Sequence, residues 1–133
     1  MIENQIYMKR FLFLITALIM TLFGACKKGD TNNTGLLGKW KLVANYYSIG
    51  GPPFWQNVPA DNNAYVQFDN NGNLFGTAFT GYSKYIVKDS VTLTFTGTSA
   101  TENYRYKLNH DTLIMSPAGP NFCIEGCAMR FVK

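Results

Sequence analysis

Three cysteines and one histidine are the residues of this 133-residue chain with the most specific chemistry. Cys26 directly follows an apolar segment, whereas Cys123 and Cys127 stand four positions apart near the C-terminus. A cysteine can be lipidated, can bind a metal as its thiolate, or can form a disulfide. His110, the single histidine, stands beside Asp111, so a proton-transfer pair is the other chemistry that the residue types allow.

The surroundings of these residues argue against catalysis. His110 lies in a tight turn at 109–111, a position that favours a solvated loop residue. No serine, cysteine or paired carboxylate has an identifiable base partner in the sequence. A metal would need more ligands than Cys123, Cys127 and one distant histidine supply. Because no phosphate-binding loop, dinucleotide fingerprint or internal repeat is present either, we expect no enzymatic activity, no metal and no cofactor.

The segment before Cys26 has the pattern of a secretion signal. Lys9 and Arg10 precede the uncharged, mostly apolar stretch 11–23, which small residues close. The stretch is too short to span a bilayer, which takes about 20 apolar residues. It is also apolar all round, unlike an amphipathic core helix. Met8 fits the start of such a signal better than Met1 does.

The end of this segment, Leu22-Phe23-Gly24-Ala25-Cys26, resembles the lipobox of bacterial lipoprotein signal peptides. In that family the cysteine is lipidated and becomes the first residue of the mature chain. The resemblance implies a signal peptide at 1–25 and a lipid anchor on Cys26. It also implies a location in the cell envelope, at the outer membrane and facing the periplasm or the cell surface.

Residues 26–133 would then form a mature chain long enough for one small domain. Loss of residues 1–25 removes Lys9, Arg10 and Glu3, so the net charge falls from +4 to +3. The charges are scattered without a basic stripe, so we expect no nucleic-acid partner. Residues 26–35 are polar and rich in Gly, Asn and Thr, which predicts a flexible spacer before a domain at 36–133.

With Cys26 lipidated, Cys123 and Cys127 remain as an even pair in an oxidising compartment, which favours a disulfide. An extended chain would separate their Cα atoms by about 13 Å. Bridged cysteines have Cα atoms about 4.4–6.8 Å apart. The chain must therefore turn at 124–126, where Gly126 can adopt a positive φ.

The rest of the chain alternates apolar and polar residues with period two. Tyr104, Tyr106 and Leu108 alternate with polar neighbours, for example. Short connections between such runs favour antiparallel pairing, and eight strands in series can close into an up-and-down barrel. We therefore predict an all-β, eight-stranded antiparallel barrel without helices. The predicted strands are 36–48, 63–69, 73–79, 82–88, 90–97, 102–109, 111–116 and 127–132.

The lengths of the connections alternate as well. Turn residues at 69–72, 88–90 and 109–111 form tight links, and Asn71-Gly72 is typical of a hairpin. The longer links include 49–62 and 116–124, with 97–101 intermediate, and only the link between the third and fourth predicted strands departs from this pattern by being short. Since alternate links of an up-and-down barrel lie at the same end, the sequence predicts one closed end and one open mouth. Function is expected at the mouth.

The start of the first strand, Gly38-Lys39-Trp40, resembles the lipocalins. The chain is most similar to the short lipocalin-like lipoproteins of Gram-negative bacteria. This resemblance implies that Trp40, next to Gly38, plugs the closed end of the barrel and that Arg130 on the last strand packs across it. It also implies that a small apolar or amphipathic ligand enters past the first long loop.

That loop carries Phe54 and Trp55, which either cover a ligand as a lid or fold back and plug the barrel. Alternation places Tyr46 on the same inner face as Trp40, Leu42 and Ala44. The expected ligand contacts are Phe54, Trp55, Tyr46, Tyr104 and Tyr106. A second hypothesis is a barrel already filled by its aromatic residues. Such a barrel would act as an envelope interaction protein, with the mouth loops touching a protein partner.

We predict that Cys26→Ser abolishes lipidation, because the lipid is attached through the thiol of this residue in the proteins that it resembles. Incorporation of radiolabelled palmitate measures the modification directly. Cys123→Ser serves as the control and should label like the wild type. Equal labelling of the Cys26→Ser variant would contradict the lipobox interpretation.

Overall fold

Nine β-strands and no helix make up the described part of the chain. The computed structural model describes residues 35–124 and 126–133; the predicted signal peptide, Cys26 and the spacer up to residue 34 lie outside it. Eight strands correspond to those predicted, and one short strand lies within the first long loop. The strands are β1 Gly38–Tyr47, β2 Phe54–Asn57, β3 Tyr65–Phe68, β4 Leu74–Gly76, β5 Tyr82–Val87, β6 Thr92–Gly97, β7 Thr101–Asn109, β8 Thr112–Gly119 and β9 Ala128–Val132.

The strands form a nearly closed antiparallel barrel, as predicted. Their order is β4-β3-β1-β9-β8-β7-β6-β5, so the first and last strands of the chain pair with each other. Between β4 and β5 the contact is a single bridge, Asn73 with Lys84. Beside it the amide of Tyr85 donates to the carbonyl of Gly72 at 2.8 Å. β2 lies off this path and pairs only with β1.

Strand registers separate the two ends of the barrel. Gly38 pairs with Phe68, and Asn109 with Thr112, which puts the turns at 69–73 and 109–111 at one end. Tyr46 pairs with Ala128 at the opposite end, so the loops 48–64 and 120–127 lie there. The predicted closed end and mouth are therefore confirmed. His110 is exposed in a turn at the closed end.

The turn between β3 and β4 shows how the closed end is built. The carboxylate of Asp69 accepts hydrogen bonds from the amides of Asn71 and Asn73, at 2.8 and 2.7 Å. The side-chain amide of Asn73 donates to the same carboxylate at 2.6 Å. That side-chain hydrogen bond is the main cause that lowers the pKa of Asp69. Gly72 completes the turn at φ +76°, a conformation that glycine adopts without strain.

A β-bulge in β1 reverses which residues face the interior. Leu42 pairs with Phe131 and Ala44 with Arg130, so Val43 is an extra residue against β9. Phe131 is fully buried in the core, and its neighbour Arg130 therefore faces outward. Ala44, as the cross-strand partner of Arg130, shares that outer face, where it is fully buried but is not part of the core cluster, and Tyr46 follows it. The prediction that Ala44 and Tyr46 share the inner face of Trp40 is therefore wrong.

Aromatic side chains fill the barrel interior. Phe79, from the loop between β4 and β5, enters the core, with its ring centroid 5.1 Å from Phe95 and 5.0 Å from Tyr104. Phe68 packs edge-on against Tyr85 at 4.9 Å. The largest fully buried side chains are Trp40, Phe68, Phe95, Phe131, Leu36, Leu93, Leu113, Met115 and Val66.

Trp40 fills the core at the closed end of the barrel, as the lipocalin resemblance implies. Its cationic neighbour, however, is Lys133 and not Arg130. Its indole N–H donates to the carbonyl of Leu36 at 2.7 Å. The ammonium of Lys133 lies 5.0 Å from the indole centroid and donates to the carbonyl of Gly35 at 3.3 Å. The predicted packing of Arg130 across Trp40 is wrong, because Arg130 faces outward and stacks on Trp55 instead.

We predict that Trp40→Ala lowers the free energy of unfolding by about 3–5 kcal/mol, the usual cost of deleting a buried ring. Urea unfolding followed by circular dichroism measures the change. Phe75→Ala, which removes a ring that is 51% exposed on the outer wall, should cost less than about 0.5 kcal/mol. Similar losses in both variants would contradict the role of Trp40 as the closing residue of the core.

Candidate binding site at the barrel mouth

Exposed apolar side chains gather at the mouth. Ile49, Phe122 and Ile124 are 77%, 73% and 98% exposed, and Phe54 is also exposed. They belong to the loops 48–64 and 120–127, which the registers bring to one end of the barrel. Side chains of this kind around one rim are typical of a binding surface.

The hairpin of β1 and β2 forms one side of the mouth. Tyr46 pairs with Trp55, with ring centroids 5.1 Å apart, and Tyr47 pairs with Phe54 at 5.3 Å. The guanidinium of Arg130 lies 4.0 Å from the Trp55 centroid. Trp55 is therefore held on the outer face between Tyr46 and Arg130, so it neither plugs the barrel nor projects as a free lid. Such a cation–π contact contributes roughly 0.5–1 kcal/mol at an exposed site.

A disulfide-bonded loop forms the other side. The structure joins Cys123 to Cys127, with Cα atoms 5.7 Å apart, which confirms the predicted pairing and the turn between them. Gly126 adopts φ +75°. A Cβ at this position would lie 3.3 Å from the Tyr46 ring, so the loop packs closely against the end of β1. The bridge thus fixes this part of the rim beside the β1–β2 hairpin.

A cleft lies between these two sides. Its volume is about 440 Å³, and it is lined by Tyr47 and Ser48 on one side and by 122–124 with 126–127 on the other. Small-molecule sites commonly occupy about 300–1,000 Å³. Among the described residues, the lining contains no charged side chain, which suits a neutral or weakly polar ligand.

The buried carboxylate of Glu102 connects the rim loop 120–127 to the barrel through hydrogen bonds. Glu102, the first inward residue of β7, is 2% exposed. It accepts a hydrogen bond from the amide of Asn121 at 3.1 Å and another from its side-chain nitrogen at 2.6 Å. Sequence reasoning missed this contact, although the phase of Tyr104 and Tyr106 in β7 indicates that Glu102 also faces inward.

Tyr104 and Tyr106 lie in the filled interior and not in the cleft. Both are buried, and neither is among the residues that line the cleft. Burial, with smaller electrostatic contributions from Tyr82 and Glu102, raises the pKa of Tyr104 to about 12. Of the expected ligand contacts, the structure brings Phe54 to the rim through its partner Tyr47 and leaves Tyr46 and Trp55 stacked on the outer face.

The described ranges contain neither a cluster of potential metal ligands nor a membrane-spanning helix. In residues 35–124 and 126–133, no group of three or more His, Cys, Asp and Glu side chains could hold a metal ion. In the same ranges, no helix is long and apolar enough to cross a bilayer.

No protein-family model matches the chain, and no curated protein matches it. The fold assignment therefore depends on the strand order and the filled core. Both are compatible with a lipocalin-like barrel.

We predict that the fold loses stability between about pH 10 and pH 12 through Tyr104. An unfolded tyrosine ionises near pH 10, whereas the folded one keeps its proton until about pH 12. The unfolded state therefore binds fewer protons in this window, and the stabilising contribution that is complete below pH 10 is lost as pH rises. Urea midpoints of the wild type and of Tyr104→Phe, compared at pH 9 and pH 11, measure the effect.

The Tyr104→Phe variant should show the smaller alkaline loss. The difference between the phenolate absorbance titrations of the two folded proteins should contain a step near pH 12. A difference step near pH 10 would show that Tyr104 is not shielded by the core.

Proposed function

We propose that this protein is a lipid-anchored, lipocalin-like protein of the cell envelope that binds a small apolar or amphipathic molecule at its mouth. The observation that carries the proposal is the cleft of about 440 Å³ between Tyr47 and the disulfide loop, in which Phe122 and Ile124 are exposed apolar members of the described lining. The filled interior argues against a ligand held deep in the barrel. The ligand is therefore expected to lie across the rim.

The proposed anchor depends on the lipobox-like sequence that ends at Cys26. Gly35, the first described residue, lies at the closed end of the barrel, where its carbonyl accepts a hydrogen bond from Lys133.

A second candidate function is protein recognition at the same rim. It is favoured by the exposed apolar side chain of Ile49, which is 77% exposed on the same rim but does not line the cleft, so a small ligand in the cleft would leave it uncovered. In this case the filled barrel is a rigid support, and the rim loops contact a protein of the envelope.

We predict that replacing Phe122 and Ile124 with serine weakens binding of the neutral fluorescent probe N-phenyl-1-naphthylamine at least tenfold. Loss of apolar contact at two large side chains is worth more than the roughly 1.4 kcal/mol that a tenfold change requires. The matched control replaces Phe75 and Ile86, which are exposed on the wall far from the mouth, and should change affinity less than twofold.

Equal losses in both variants would contradict a mouth site. Native mass spectrometry of the domain extracted from its own cells separates the two candidate functions. A retained mass of a few hundred daltons, lost in the Phe122/Ile124 variant, supports the small ligand. Retention of a protein instead, lost in the same variant, supports the recognition module and contradicts the small-ligand proposal.

A further inference from the structure

We propose a second binding site, for an amphipathic anion, on the outer wall of the barrel over β7 and β8. It lies between Arg105 and Lys107 and is independent of the mouth. Its ligand class is a single carboxylate or phosphate head group joined to a hydrocarbon chain. The proposal rests on a groove, on two cationic side chains without a partner among the described residues, and on apolar side chains that line the groove beside them.

Strand pairing defines the groove. Arg105 pairs with Ser116 and Lys107 with Ile114, so these four side chains share one face of the sheet. Tyr104 and Tyr106 alternate with them and are buried, which makes this the outer face. The groove has a volume of about 590 Å³ and extends to Val91, which is half exposed.

The distribution of charge on the described strands favours an anion here. Glu102 is the single acidic residue in any of these strands, and it is buried inside the barrel. The strands beside the groove therefore carry cations on their outer face, and the one described carboxylate at the edge of the groove, Asp89 in the β5–β6 turn, already accepts a hydrogen bond from the amide of Val91 at 2.9 Å. Arg130 extends the basic row, because it pairs with Ile114 from the side opposite Lys107.

The other cations of the described strands are already engaged within the fold. Lys39 lies 4.0 Å from the Tyr65 ring centroid, and Lys41 donates to the carbonyl of Ala60 at 3.5 Å. Lys84 donates to the side chain of Asn73, and Arg130 stacks on Trp55.

The side chains of Arg105 and Lys107, in contrast, make no hydrogen bond or ion pair with any other described residue. They are two positions apart on one face of a strand, so their Cα atoms are about 7 Å apart and both side chains can reach one head group. The arginine can bind a carboxylate or phosphate through two parallel hydrogen bonds, and the lysine adds a point charge.

The floor of the groove explains why the ligand should be amphipathic. Ile114 and Val91 offer apolar surface next to the two cations, and the hydroxyl of Ser116 can donate a further hydrogen bond to the head group. A free inorganic anion would use only the cations. A hydrocarbon chain attached to the anion would also cover the apolar floor, at roughly 25 cal/mol per Å² of apolar surface removed from water.

The test uses decyl phosphate below its micelle concentration, titrated into the folded domain by calorimetry. One equivalent should bind, and the Arg105→Gln/Lys107→Gln variant should bind at least tenfold more weakly. Lys39→Gln/Lys84→Gln removes the same charge from other parts of the wall and should change affinity less than twofold. Equal losses in the two double variants would overturn the site, because net charge alone would then explain the binding.

Further probes test each part of the proposed ligand. Inorganic phosphate should bind at least tenfold more weakly than decyl phosphate, and so should decanol; an equal affinity for either would overturn the amphipathic anion. Anionic vesicles that bind the wild type but not the Arg105/Lys107 variant, without any binding of decyl phosphate, would assign the wall to a membrane surface and overturn the proposal.

Amide chemical shifts of the wild type provide a measurement that needs no variant. Decyl phosphate should shift the signals of Ile114 and Ser116 and leave those of the mouth residues Tyr47 and Phe122 unchanged. Shifts confined to the mouth would overturn the wall site, whereas the mouth proposal would survive. Loss of binding of the neutral probe in the Phe122/Ile124 variant tests the mouth alone, so the two proposals can fail separately.

Discussion

The constraint on which the rest of the structure depends is that the small barrel must fill its own interior. Eight strands enclose a space just wide enough for side chains or one small ligand. Here rings occupy that space, and Phe79 enters from a loop to contact Phe95 and Tyr104. Because the core is filled by the chain itself, the two proposed binding sites lie at the rim and on the wall. The fold then serves as a rigid support for loops and outward-facing side chains.

The bulge at Val43 allows one strand to serve both the core and the rim. On the side of the bulge towards the closed end, β1 pairs with β3 and directs Trp40 and Leu42 inward. On the side towards the mouth, β1 pairs with β2, and because the faces are reversed there, Tyr46 points outward and contacts Trp55. Without the extra residue, regular alternation would direct Tyr46 into a space that other rings already fill. The bulge therefore relieves crowding in the core and creates the stacked cluster beside the mouth.

Much of the barrel could be predicted from local patterns in the sequence. Period-two alternation located all eight barrel strands, and Asn71-Gly72 located a closing turn, because these features depend on neighbouring residues alone. The Cys123–Cys127 bridge followed from spacing and from Gly126. These predictions needed no knowledge of which distant residues meet.

The errors all come from long-range register. Regular alternation in the sequence predicts one continuous apolar face formed by Trp40, Leu42, Ala44 and Tyr46. A β-bulge cannot be recognised from this pattern. The contact between Arg130 and Trp55 depends on that bulge. The lipocalin resemblance, which contains no information about the bulge, therefore predicted contact with Trp40 instead. Phe79 lies at the end of a predicted strand, yet it enters the core from a loop.

Preorganisation of the rim follows from two independent restraints on the 120–127 loop. The disulfide closes one end, and the contact between Glu102 and Asn121 holds the other against the barrel. A loop that is already ordered loses less conformational entropy when a ligand binds, which favours affinity. The apolar residues Phe122 and Ile124 are thus exposed on a restrained segment, which is the arrangement that a binding rim requires.

The positions of charged side chains differ between the two proposed binding sites, the mouth and the wall groove. The negative charge of Glu102 contributes to the raised pKa of Tyr104. By the same electrostatic effect, this charge below the rim disfavours an anionic group that enters the mouth from above. On the wall, Arg105 and Lys107 stand on the face of β7 opposite to Glu102. Neutral molecules are therefore expected at the proposed mouth site and anions at the proposed wall site, because Glu102, the single carboxylate of the described strands, is buried on the inner face of β7, while Arg105 and Lys107 stand on its outer face.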